Sequence, residues 1–505
     1  MEISRWSMFE AVICGPEDGN PFTQHFIRGR FTGENEQVET DGFYDGNGLY
    51  KVRFMPSFEG DYTYEVNTDF GEVQTGTFHV GPALYGNHGP VRVANTFHMA
   101  YEDGTPYYSI GTTCYVWELQ SDALIEQTLK TLSESAFNKI RFCIFPKHYD
   151  FNLGEPRSYP YEGTPMDASV LTPENFSCYG PESEGNCWDF FRFNPEHFRH
   201  IEKCIRKLGD MGIEADLILM HPYDRWGFSK MPKEADDLYI KYVAARISAF
   251  HNVWWSLANE YDLCEYKTLE DWERFAAIIC DKDPYHHMRS VHNCKPFYDF
   301  HRPWVTHCSI QRQDFYKTAE YVDRWRETYQ KPVILDEIAY EGNVSHGWGN
   351  ITGEELVRRF WEAACRGGYA GHGETYMSED NVLWWSHGGL LHGESHKRFK
   401  FLHDILCETP GLGLRYAGGG DEVRAVPQET WAYMKPVQDY YLIYYSFMGP
   451  SFRIYHFDDT TRFHLYVLDT WNMTREDRGI VWGRFKVELP GRPYMAIQLK
   501  KVKEV

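Results

Sequence analysis

Two runs decide the reading of this chain: NVWWSLANEYD at residues 252–262 and KPVILDEIAYEG at residues 331–342. Each is an apolar stretch of strand length that ends abruptly on polar side chains, Asn259 and Glu260 in the first, Asp336 and Glu337 in the second. Comparable runs recur from about residue 100 to 408: YYSIG (107–111), NKIRFCIF (138–145), EADLILM (214–220), MRSVH (288–292), WVTHCS (304–309) and GYAGHGETY (368–376), with amphipathic stretches between them. Strand-like runs alternating with helical periodicity indicate βα units. Eight of them predict a (β/α)8 TIM barrel, an α/β fold, rather than an open doubly wound sheet; no GxGxxG or P-loop favours the latter.

The amphipathic stretches carry helix signals. Asn194 before Pro195 opens one, Phe198, Ile201, Ile205 and Leu208 fall on one face, and Gly209 closes it. Thr352 with Glu355 predicts a capping box ahead of LVRRFWEAACR, and Gly367 is the stop. Outside the barrel the period changes to two. QHFIRGRFT, LYKVRFMP, DYTYEVNT and GTFHV predict a small β-sandwich over residues 1–81, and YYLIYYSF, FRIYHF, RFHLYVLDTW, FKVEL and YMAIQLKKV a second β-module over 411–505. The barrel is thus expected over 82–410, with the glycine-rich GLGLRYAGGG as the boundary behind it.

Composition narrows the function. The 505 residues are 42% hydrophobic and 25% charged, and no apolar run is long enough to span a bilayer, so no membrane partner is expected. The net charge of −22, without a basic stripe, argues against nucleic acid. Twelve cysteines without CxxC pairs read as reduced thiols, and the strand-like WSMFEAVICG close behind Met1 leaves no room for a signal peptide; both lead us to expect a cytoplasmic protein. Aromatic residues make up 17% of the chain, beyond ordinary core filling and suited to stacking on sugar rings.

In such a barrel the chemistry stands at the carboxyl ends of the strands. Glu260 ends the fourth and Glu337 the seventh, so the two can face each other across the opening. Glycosidic hydrolysis needs that pair: a proton donor to the leaving oxygen and a carboxylate on the other side of the sugar. Asp336, by strand alternation, points to the opposite face and reads as structural. Glu341, Glu374 and Asp224 are nearby fallbacks.

Asn-Glu at the fourth strand and Glu at the seventh resemble the retaining clan A glycoside hydrolases. More narrowly, DGTPYYSIGTTCYVW, AFNKIRFCIFP and GIEADLILMHPYDRWGF are similar to the apiosidase-like barrels, which an immunoglobulin-like module resembling WSMFEAVICGPEDGNPF typically precedes. The resemblance covers nearly the whole chain. It implies Glu260 as acid/base, Glu337 as nucleophile, Asn259 as the partner of the 2-hydroxyl, and Arg141 as the cation that keeps Glu337 ionised. His221, His292 and His307, at the third, fifth and sixth strands, are expected to donate to sugar hydroxyls. Trp384 and Trp385 follow the eighth strand, where relatives keep an aromatic platform, one stacking and the other packed behind; Trp117 is a weaker candidate for that role. Ser309 stands where relatives place a tyrosine on the nucleophile, so Arg141 or Tyr340 must position Glu337.

The long segment 150–193 is expected to wall off the groove, favouring removal of terminal sugars. The expectation is therefore a retaining, exo-acting glycoside hydrolase of short oligosaccharides or small glycosides, with no cofactor and no metal. Its Tyr- and Phe-rich flanks are compatible with a homo-oligomer. Two other classes compete. A metal-dependent barrel hydrolase or isomerase would use the three histidines, and a carbohydrate-binding protein without catalysis would keep the aromatics but not the paired glutamates.

Overall fold

The computed structural model describes residues 2–151, 154–378, 382–428 and 437–502. Eight parallel strands form the central sheet: β1 (Ile110–Thr113), β2 (Lys139–Cys143), β3 (Glu214–Met220), β4 (Val253–Ala258), β5 (Arg289–Ser290), β6 (Cys308–Gln311), β7 (Val333–Glu337) and β8 (Tyr369–His372). Their order is β5-β4-β3-β2-β1-β8-β7-β6, and a parallel bridge between His292 and Ser309 joins the two ends. The sheet is therefore a TIM barrel, as the recurring runs predicted.

Among the described residues seven helices of eight residues or more, not eight, follow these strands: α1 (Asp122–Ser133), α2 (Pro195–Asp210), α3 (Lys233–Ile247), α4 (Leu269–Lys282), α5 (Val322–Tyr329), α6 (Gly353–Cys365) and α7 (Phe399–Cys407). The connection from β5 to β6, residues 291–307, contains no helix; Pro296 and Pro303 punctuate it. Asn194 caps α2 through its side chain as read, but the helix runs through Gly209 to Asp210, and the left-handed residue behind it is Gly212 (φ +70°). Only half of the capping box on α6 forms. Thr352 accepts from the Glu355 amide, while the Glu355 carboxylate turns to Arg358 and Arg359, each at 2.7 Å.

The N-terminal residues build two antiparallel-rich sheets around one aromatic core. Glu2–Ser4, Val73–Gly81, Gly60–Thr68, Ile27–Thr32 and Gln37–Asp41 make the first; Phe9–Cys14, Leu49–Phe54 and Phe43–Tyr44 make the second. Alternate residues of Phe9–Cys14 and Ile27–Thr32 are buried, and Phe9 on Phe78 and Phe31 on Phe54 stack with centroids 4.4 Å apart. The C-terminal region forms a six-stranded sheet, in the order Leu414–Tyr416, Val423–Pro427, Tyr440–Tyr444, Met495–Lys501, Arg462–Asp469, Thr474–Trp482, and a two-stranded one. Its first strand lies inside the glycine-rich boundary segment, so that segment is part of the sheet. Tyr440, Leu442 and Tyr444 join the same apolar core as Phe360 and Trp361 of α6, which is buried along almost its whole length.

No helix among the described residues is long and apolar enough to cross a membrane, and all twelve cysteines are free thiols.

Charge holds the first module to the barrel. Arg246 of α3, fully buried, donates to Asp45 at 2.8 Å and to Glu202 of α2 at 2.5 Å; Arg53 donates to Glu202 at 2.9 Å and to Glu10 at 2.8 Å; Lys51 and Arg199 complete the shell around Asp45, each at 2.9 Å. Burial alone would raise the Glu202 and Asp45 carboxyls, but Arg53 and Arg246 at Glu202, and Arg246 and Lys51 at Asp45, bring both below their ordinary range. Arg246→Met, which removes the cation shared by two buried carboxylates and leaves Glu202 to Arg53 and Asp45 to Lys51 and Arg199, is expected to cost about 3 kcal/mol in a denaturant titration near pH 7. Because both carboxyls titrate lower folded than unfolded, the wild-type advantage should be present above pH 4.5 and fade as pH falls below it. Equal stability of variant and parent at pH 7 would show that the cluster does not hold the modules together.

Candidate active site

Beneath the C-terminal ends of the strands the barrel interior is ionic. Lys139 of β2 places its ammonium 2.8 Å from Asp216 of β3 and 2.7 Å from Asp336 of β7, and Ser309 of β6 donates to Asp336 at 2.5 Å. Asp336 is thus structural, but it faces the interior, contrary to simple alternation. The register between β6 and β7 explains this: Ser309 pairs with Ile334 and Gln311 with Glu337, so three steps on β7 match two on β6. That bulge lets the consecutive Asp336 and Glu337 both serve the inside of the barrel.

Above this layer lies a cavity of about 180 Å³ with two carboxylates in its wall, Glu260 and Glu337. Glu260 follows β4 in a left-handed conformation (φ 51°, ψ 57°), an unusual backbone for glutamate that turns it away from the strand direction. Tyr223, three residues past β3, donates to Glu260 Oε2, and Asn259 Nδ2 lies 3.4 Å from the same oxygen. Glu337 is the last residue of β7. Tyr115, two residues past β1, donates to Glu337 Oε1 and lies 3.2 Å from Asn259 Oδ1. Arg141 of β2 donates to Asn259 Oδ1 at 3.0 Å and stands 3.5 Å from Glu337.

The electrostatics depart from the expectation for Glu337. Burial and the facing Glu260 carboxylate push its carboxyl up to about 7, outweighing the opposite pull of Arg141, the Tyr115 hydrogen bond and Lys147. Arg141 is in place, yet it alone does not hold Glu337 ionised. Near neutrality the Glu337 carboxyl therefore still holds a proton part of the time.

Aromatic side chains wall the cavity. Trp385 lies 5.1 Å from Trp348, 5.4 Å from Tyr115 and 5.5 Å from Tyr149, centroid to centroid, and Tyr340 completes this side. Lys147, Cys294, Gln311 and Gln313 supply the remaining polar lining. Trp384 does not reach the cavity. Its indole nitrogen donates to Thr112 at 2.8 Å, and its ring lies over Phe137. Trp117, fully buried, packs edge-on against Phe142 and is core rather than platform. Tyr340 lines the cavity, but Tyr115 holds the hydrogen bond to Glu337.

The three histidines are also corrected by their surroundings. None lines the cavity. His221 approaches the Phe145 carbonyl at 3.3 Å, His292 forms the bridge that closes the barrel, and His307 packs against Trp254 with Nδ1 3.1 Å from Thr306. Burial lowers the pKa of His221 to about 3 and of His307 to about 4, so both rings are neutral. Among the described residues no three His, Cys, Asp or Glu side chains gather in a way that would hold a metal ion. The fallback acids tie backbone: Asp224 accepts from the amides of Trp226, Gly227 and Ser229, Glu341 from Glu394 and Ser395, and Glu374 from His392 and Gly393.

The segment 150–193 is not one open loop. It contains the antiparallel pair Tyr161–Thr164 and Cys187–Phe193, while Phe151 and the preceding Tyr149 pack around Trp348 and Trp385. A larger cleft of about 650 Å³ lies at the other end of the barrel, between its base and the first module, but its two acids, Glu10 and Asp210, are exposed.

Residues 94–397 match the family model of the apiosidase-like catalytic domain. Residues 2–69 and 430–500 each match a model described as a domain of unknown function, DUF5060 and DUF5605. A Bacteroides vulgatus protein proposed to be a glycoside hydrolase is 34% identical in sequence and superimposes with a TM-score of 0.90, over 99% of this chain and 100% of the other. A family 5 glycoside hydrolase from the same organism shares the fold at 15% identity and a TM-score of 0.59, over 82% of this chain and 93% of its own. Among curated proteins none matches in sequence.

Tyr115→Phe removes the hydrogen bond that favours ionised Glu337, so the carboxyl should titrate about one unit higher than in the parent. Carbon-13 NMR of glutamate-labelled protein, with Glu337→Gln to assign the signal, reads the change; an unshifted signal would remove Tyr115 from the site's electrostatics.

Proposed function

We propose, from the premise that this chain belongs to the apiosidase-like family and is a glycoside hydrolase, that it removes a terminal sugar by double displacement through Glu337, with Glu260 as acid/base. The observation that carries the reading is the buried pair itself: two carboxylates in one cavity wall, each held by its own tyrosine.

In the first step Glu260 donates its proton to the departing glycosidic oxygen while Glu337 attacks the anomeric carbon. Esterification removes the negative charge of Glu337. Glu260, relieved of repulsion, can then act as base and take a proton from the water that opens the ester. Asn259 presents Nδ2 beside Glu260 as the partner of the sugar's 2-hydroxyl, a contact that strengthens in the transition state.

A cavity of about 180 Å³ with aromatic walls suits a single sugar ring, stacked on Trp385 and bounded by Trp348 and Tyr149. A site of that size supports terminal rather than internal cleavage, of a short oligosaccharide or small glycoside. The twelve free thiols support the cytoplasm as its location. The carboxylate pair, absent from what a mere sugar-binding wall needs, favours catalysis over binding alone.

With a substrate found from a panel of aryl glycosides, Glu337→Gln should lower kcat/KM by on the order of 10⁴-fold or more with an unchanged melting curve. Glu260→Ala should be rescued by azide on an activated substrate, yielding a glycosyl azide of the substrate's own anomeric configuration; an inverted azide would contradict double displacement. Because Glu337 must be ionised to attack and its carboxyl is pushed up to about 7, activity should fall on the acid side as pH drops below about 7.

A further inference from the structure

The side chain of Lys147, four residues past β2, is buried against the cavity at 2% exposure. Its ammonium lies 3.5 Å from the ring centroid of Tyr115 and 4.3 Å from that of Tyr223, with Trp385 at 4.4 Å and Tyr149 at 5.2 Å. Tyr115 is the phenol that donates to Glu337, and Tyr223 is the phenol that donates to Glu260. One cation therefore faces both rings that hold the two carboxylates. A positive charge over a phenol's face draws electron density from the ring and makes its hydroxyl a stronger donor.

We infer that Lys147 is a positioning residue for the catalytic pair, acting on Glu337 through Tyr115 and on Glu260 through Tyr223. The inference rests on the reading of Glu260 and Glu337 as the reacting carboxylates. Charge supports it. With both glutamates ionised, Lys147 and Arg141 offset them, and the Lys147 ammonium favours the ionised form of Glu337 directly. Burial lowers the lysine to about 8, while Cys143, Glu260 and Glu337 pull it back up.

The titratable and charged groups that face this cluster come from six of the eight strand ends. They are Tyr115 after β1, Arg141 and Cys143 on β2, His221 and Tyr223 after β3, Glu260 after β4, Cys294 after β5, and Glu337 and Tyr340 at the end of β7, with Tyr149 beside the lysine itself. The phenols and thiols among them are neutral near pH 7, because burial raises each of them, and His221 is neutral too. Lys147 and Arg141 are the cations of the group.

Lys147→Met removes the charge at similar length. Both limbs of the kcat/KM profile should then move about one unit to higher pH. In the same variant kcat should fall about tenfold or more with KM nearly unchanged. Lys147→Arg should restore both limbs. A carbon-13 titration of glutamate-labelled protein reads the same upward shift without any substrate, so it tests the lysine even if no glycoside is turned over; failure of the glycosidase reading and failure of this one are separate results. Limbs that stay in place while KM rises would mean that Lys147 touches the sugar, and would overturn the proposal. So would the inability of Lys147→Met and Lys147→Gln to fold while Lys147→Arg folds normally, since the role would then be packing.

Discussion

The buried contact of Lys139 with Asp216 and Asp336 is the constraint on which the catalytic end of the barrel rests. The three groups lie on β2, β3 and β7, and none is more than a few per cent exposed. A charge without water is strongly unfavourable unless it is paired at good geometry, so the triad fixes the relative height of those strands. Two residues up β2, on the same face, stands Arg141; one residue beyond Asp336 stands Glu337. The upper layer inherits its register from the lower one, and the bulge on β7 is what allows adjacent acids to take separate jobs, one in the ionic layer and one in the cavity wall.

That upper layer is tuned by competition. Burial and like charge raise the Glu337 carboxyl, while two cations and a phenol lower it, and the former prevail. A carboxyl left to cations alone would lose its proton well below neutrality; one left to burial alone would keep it far above. The result is a Glu337 carboxyl whose protonation responds to small changes of charge around it.

Much of this was legible in the sequence. Strand-length apolar runs ending on Asn259-Glu260 and on Glu337 located the cavity, because the ends of barrel strands are where side chains escape the packed interior. What was not legible depends on how far each loop carries a residue beyond its strand. Tyr115, Lys147 and Tyr223 stand two to four residues past β1, β2 and β3, and nothing in their local sequence distinguishes them from the histidines, which sit lower and are consumed by packing and barrel closure. Trp117 misled for the same reason: a large ring just past a strand can turn inward as readily as toward the opening. The missing fifth helix escaped notice because strand spacing was regular, whereas residues 291–307 cross from β5 to β6 as irregular backbone. The C-terminal edge strand at Leu414–Tyr416 was hidden among glycines, and Thr474–Trp482 lacks the alternation that marks a half-buried strand.

The ion cluster between the first module and the barrel has a consequence for how the chain is made. Asp45 and Arg246 are separated by 201 positions, and Glu202 lies near the end of that interval. The first module therefore leaves the ribosome with Asp45 and Arg53 paired only within the module, to Lys51 and Glu10, and its inner surface uncovered, and stays so until synthesis has passed α3. Domains generally fold as units in the order of synthesis, which runs at about 5–20 residues per second. Assembly of this enzyme is in that sense vectorial: an early sheet waits as a template, and the translation of two later helices is the event that seals it.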